Sequence, residues 1–101
     1  MFLNIFNLIT LTTMIIYKYT RFYKINDKYI EQCSRLYKYL HSAKKCVKEF
    51  IEDSKNEDNL EYIEQENIDS KELYRCDISW DGYYNNKIET RISITEEYLY
   101  D

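Results

Sequence analysis

One histidine, three cysteines and a run of acidic residues are the side chains of this 101-residue chain from which reactive or metal-binding chemistry could be built. His41 falls among lysines in a helical pattern. A Ser-His-Asp relay needs a nucleophile and a carboxylate brought to the ring, and nothing in the spacing supplies them, so His41 reads as a solvated surface residue. Cys33, Cys46 and Cys76 show no CxxC spacing, and a single histidine does not complete the usual zinc ligand sets. Asp53, Lys55, Glu57, Asn59, Glu61 and Glu64 fall on the ligand positions of a calcium-loop frame. That frame fails because Lys55 brings a cation where an oxygen must bind and Asp58 replaces the glycine that makes the sharp turn. The chain therefore reads as a binding protein, with no enzyme activity, no cofactor, no metal and no small-molecule substrate.

The elements that would position a binding surface begin with the amino-terminal segment. Met1 to Tyr17 carries no charge, and Lys18, Arg21 and Lys24 follow directly. A helix over residues 1–20 spans about 30 Å, the thickness of a bilayer core. Tyr17 and Tyr19 suit the headgroup level, and Lys18, Arg21 and Lys24 can snorkel beyond it, so these five mark a membrane boundary. No base precedes the apolar run and the one alanine is Ala43, which leaves no small-residue cleavage site and argues for a retained anchor. The flanking positive charge predicts a cytosol-facing carboxy-terminal part. The competing reading is a soluble or peripheral interaction module whose first helix is buried in its own core or in a partner, favoured by Asn4, Asn7, Thr10, Thr12 and Thr13 inside the run.

Charge divides the chain. Up to Lys48, nine Lys and Arg face two acidic residues; from Glu49 on, five face sixteen. A basic half beside a membrane is attracted to anionic lipid and an acidic half is repelled. The bases are dispersed and belong to no nucleic-acid module, so nucleic acid is excluded as a partner. The absence of Pro, the single Gly and the twelve Tyr point to an AT-rich gene, since Ile, Lys, Asn and Tyr use AT-rich codons.

From Phe22 onward, Tyr29, Cys33, Leu36, Leu40, Ala43, Val47 and Phe50 recur at spacings that predict an amphipathic helix, started by Asn26 or Asp27. The expected organisation is a transmembrane anchor over 1–20, a helical stalk over 21–54, an acidic linker over 55–72 and a β-hairpin region over 73–101 packed on the helix. On one helix, Cys33 and Cys46 would lie about 20 Å apart, beyond disulfide reach. In the last region Tyr74, Cys76, Ile78 and Trp80, then Ile88, Thr90, Ile92 and Ile94, alternate with polar residues, which is the signature of two half-buried strands. Asp81-Gly82 and Asn85-Asn86 supply the turn. The fold class expected is α+β, with Leu36, Leu40, Val47, Phe50, Ile78, Trp80 and Ile92 in the core. Tyr83 and Tyr84, at the hairpin tip, are the candidate interaction residues.

The segment Lys71-Glu72-Leu73-Tyr74-Arg75-Cys76-Asp77-Ile78, followed by Gly82-Tyr83, resembles the Lys-x-x-aromatic-Arg-Cys-x-aliphatic segment of small poxvirus entry–fusion complex proteins. That resemblance implies an uncleaved anchor, a helical region and a cysteine-containing domain on the virion surface, a role in virus entry and other membrane proteins as partners. It makes Cys76 a candidate disulfide residue. The family's longer cysteine-rich carboxy-terminal domain has no counterpart before Asp101, and Cys33 and Cys46 do not match it.

Overall fold

The computed structural model describes residues 14–99. Five strands and one helix follow in the order β1 (Met14–Ile25), β2 (Lys28–Tyr37), α1 (Leu40–Asp53), β3 (Asp58–Glu66), β4 (Glu72–Asp81) and β5 (Lys87–Leu99), with a single 3-10 turn at Tyr83–Asn85. The strands form one sheet in the order β2-β1-β5-β4-β3, and every neighbouring pair is antiparallel. The described residues begin with a hairpin, cross the sheet through α1 from one edge to the other, and return as a three-stranded meander whose last strand closes against β1.

This architecture overturns the expected α+β layout of an anchor, a long helix and a hairpin. Residues 1–13 of the anchor lie outside the described residues. The remainder of that segment enters β1, where Ile15, Ile16, Tyr17, Tyr19, Thr20, Phe22 and Tyr23 are the β-branched and aromatic types that suit a pleated surface. Tyr17, Lys18, Tyr19, Arg21 and Lys24, expected at the membrane boundary of an anchor helix, are strand residues paired with both β2 and β5 or with β2 alone. Among the described residues no helix is long and apolar enough to cross a membrane, which removes the support for a membrane location and a virion-surface orientation.

Asn26 and Asp27 do not start a helix. Both have positive φ, 49° and 65°, and join Ile25 to its partner Lys28, the two-residue connection that matches the twist of a hairpin. The helix is confined to Leu40–Asp53, and half of the stretch expected to be an acidic linker, Asp58–Glu66, is β3. The carboxy-terminal alternation maps onto β4 and β5, hydrogen-bonded neighbours with Cys76 opposite Ile92 and Ile78 opposite Thr90.

Ala43 and Val47 press onto one face of the sheet, where Tyr19, Tyr74, Cys76, Ile78, Ile92 and Ile94 complete the buried cluster; Leu40, Phe50 and Trp80 pack at its rim. Val47, Ile78 and Ile92 are at most 1% exposed. Leu36 is 60% exposed, because its strand partner Lys18 belongs to the opposite face, away from α1. No described element covers that opposite face.

Candidate functional site

A groove of about 460 Å³ lies on the face away from α1, lined by residues that include Phe22, Tyr29, Glu72, Arg75, Arg91 and Ser93. Two irregularities in strand pairing bring this set together. Between β1 and β2 the register passes from Arg21↔Cys33 to Phe22↔Glu31, which makes Gln32 an extra residue in β2. Side chains alternate strictly along a strand, so one inserted residue reverses the faces beyond it. Cys33 consequently faces α1 while Glu31 and Tyr29 share the open face with Phe22 and Lys24. Arg21 Nε donates to Gln32 Oε1 at 2.8 Å and holds the bulge.

The second irregularity lies between Glu72↔Thr95 and Tyr74↔Ile94, with Leu73 as the extra residue. It turns Glu72 to the open face although Tyr74, two residues on, is buried beneath α1. Asp69 Oδ1 fixes the approach to β4 by accepting from the backbone N–H groups of Lys71 and Glu72, at 2.8 and 2.6 Å. These two bonds hold the Asp69 carboxyl below the usual carboxylate range.

Within the groove the charges are locked to one another. Arg75 makes a forked contact with both carboxylate oxygens of Glu72, its Nε donating to Oε2 at 3.0 Å, and Ser93 Oγ donates to the same Oε2 at 2.6 Å. Hydrogen bonding to Arg75 accordingly lowers the Glu72 pKa. Arg91 forks onto Asp77 with distances of 2.6 and 3.3 Å, and its guanidinium carbon lies 4.3 Å from the centroid of the Tyr29 ring. Tyr29 thus reaches from β2 across β1 to β5. Bidentate arginine–carboxylate pairs are geometrically demanding, so the floor of the groove is stiff, while Phe22 and Tyr29 give it apolar walls.

The residues singled out from the sequence lie elsewhere. Tyr83 and Tyr84 are 89% and 96% exposed in the β4–β5 connection, and Tyr84 and Asn85 there take positive φ, 58° and 61°. His41 is exposed and stacks on Tyr39 with ring centroids 5.4 Å apart. The calcium-frame residues are spread from Asp53 at the end of α1, through Lys55 and Glu57 in the connection, to Asn59, Glu61 and Glu64 along β3, and among the described residues no group of three His, Cys, Asp or Glu is arranged to hold a metal. Cys76 is a free, fully buried thiol under α1, and burial pushes it up to about 11. Nothing in the sequence joined Phe22, Tyr29, Glu72, Arg75 and Arg91 into one site: Phe22 and Tyr29 fell in the apolar helical pattern, and Glu72 and Arg75 in the segment that carries the resemblance. The one trace of them in the sequence is the polar phase of the β4 and β5 alternation, where Arg75, Asp77, Arg91 and Ser93 carry complementary charge and hydroxyl groups instead of the uniform charge of a solvated face.

Comparison of the chain with protein-family models, with curated proteins and with solved structures finds no match, and so nothing identifies it as a poxvirus entry–fusion protein.

Proposed function

We propose that this chain is a small interaction module that binds a segment of a partner protein in the groove on the open face of its sheet, by contact alone and without a chemical step. The observation that carries this reading is the pair of bulges, at Gln32 and Leu73, which turn Tyr29 and Glu72 onto the same face from two different strands. Bulges re-aim side chains at functional sites and at sheet rims, and here both serve one groove. The internally paired charges suit a partner segment with alternating polar and apolar groups, since neither sign is in excess there, and Phe22 with Tyr29 offers the aromatic surface on which interface energy concentrates.

The test is affinity capture from the source cells with the wild-type chain, with Phe22→Ala/Tyr29→Ala, and with Tyr83→Ser/Tyr84→Ser, each shown by circular dichroism to be folded. Loss of the captured protein with the first pair and its retention with the second supports the groove. Retention with the first pair and loss with the second would move the binding surface to the exposed β4–β5 turn.

A further inference from the structure

Away from the groove, on the helix-covered side, two cysteines converge. Cys33 on β2 and Cys46 on α1 both line a cleft of about 150 Å³, and both are free thiols of intermediate exposure, in contrast to the fully buried Cys76. Two structural choices produce this meeting. The bulge at Gln32 leaves Cys33 on the same face as Arg21, whose guanidinium carbon lies 4.8 Å from the centroid of the Phe50 ring on α1. The restriction of the helix to Leu40–Asp53 then lays Cys46 back over β2 and removes the separation that one continuous helix would impose. Tyr37, four residues along the same strand from Cys33, lines a second cleft together with Cys46 and Arg35, which places Cys46 over the β2 side of the sheet. Arg21, Arg35, Glu49 and Asp53 also line the cleft, with no net charge between them, so neither anionic nor cationic small thiol reagents are excluded.

We propose that Cys33 and Cys46 form a redox-active dithiol that closes to a disulfide between β2 and α1 by exchange with a small-molecule disulfide. One thiolate attacks a sulfur of the small disulfide, forming a mixed disulfide and releasing one small thiol. The second cysteine then attacks the protein sulfur of that mixed disulfide, forming the Cys33–Cys46 bond and releasing the second small thiol. Two electrons pass from the protein to the small disulfide, and the two thiol protons end on the two released thiols. The closed bond would staple α1 to the edge strand, while Cys76 stays outside the reaction because burial leaves no path to it and suppresses its thiolate.

The experiment uses the full chain incubated with oxidised glutathione under native conditions, quenched, alkylated in denaturant and analysed by intact mass and peptide mapping. The expected product has lost two hydrogens, carries one alkyl group, at Cys76, and yields a linked peptide pair containing Cys33 and Cys46; its thermal midpoint rises and returns on reduction. In Cys33→Ser the reaction should stop at a stable glutathione adduct on Cys46. Separate glutathione adducts accumulating on Cys33 and Cys46 of the wild type, or oxidation that involves Cys76 equally, would overturn the proposal, and neither result bears on partner binding in the groove.

Discussion

Beneath α1, the sheet presents Ile78, Ile92, Ile94, Cys76 and Tyr74 nearly or wholly removed from water, whereas on the other side Arg75 with Glu72 and Arg91 with Asp77 remain partly hydrated ion pairs. The same five strands thus carry two kinds of cohesion. Burial of apolar area involves no titrating charge and dominates stability; exposed or half-exposed ion pairs contribute little to stability and much to shape and recognition. The difference teaches where a substitution will unfold the protein and where it will change only what the protein binds.

The contrast is broken most severely at Ile92. Truncation of this fully buried residue to alanine should cost about 2–5 kcal/mol, read as a shift in the urea midpoint, whereas Tyr29→Ala on the opposite face should move the midpoint far less. An equal effect of the two would mean that the open face is part of the core.

High pH should attack the covered face. Burial pushes Tyr19 up to about 12 and Cys76 up to about 11, so the folded chain disfavours their anions. Their contribution is fully present below the unfolded values, about 10 for tyrosine and about 8.5 for cysteine, and is lost as pH rises through that range toward the folded ones. Denaturant titrations from pH 8 to 12 should show falling stability, with a shallower fall in Tyr19→Phe.

A smaller change of opposite sign is expected at Thr90, whose buried Oγ1 has no hydrogen-bond partner among the described residues. Thr90→Val removes a desolvated hydroxyl and should raise stability by about 1 kcal/mol. A loss on the same scale would show that the hydroxyl is satisfied.

The mildest effect belongs to the open face. Because Arg75 lowers the Glu72 pKa, the stabilisation from that carboxylate is present above its unfolded value of about 4.3 and lost as pH falls through the folded one. Glu72→Gln should therefore lower the neutral plateau slightly, leave the stability in acid nearly unchanged, and so flatten the acid limb of the profile.

Much of the covered face was legible. In Tyr74, Cys76, Ile78 and Trp80, and again in Ile88 to Ile94, the period of two is unbroken where the residues lie under α1, and Ala43 and Val47 keep true helical spacing. The amino-terminal half misled for two physical reasons. Phe22, Tyr29, Cys33 and Leu36 imitate a helix by their spacing although they come from two strands and two faces, and the extra residue Gln32 interrupts the alternation that would have marked β2 as a strand. The uncharged start of β1, Met14 to Tyr17, is built of residues that suit a pleated strand as well as a membrane span, and only Ile16 among them is buried. β3, an edge strand exposed along nearly all its length, has too few buried positions to show any period. The groove was illegible because a bulge, which depends on pairing with a distant strand, decides on which face Tyr29 and Glu72 emerge.

The strand order has a consequence for synthesis. The fifth strand occupies the middle of the sheet and is the one piece that joins the β1–β2 hairpin to the β3–β4 pair. At about 10 residues per second, β1 waits several seconds on the ribosome for the neighbour that will cover its second edge. An unpaired strand rich in isoleucine and tyrosine invites the wrong partner during that interval. Lys18, Arg21 and Lys24, spaced along β1, are the kind of charge that discourages such pairing. In this light they are guards of a nascent chain.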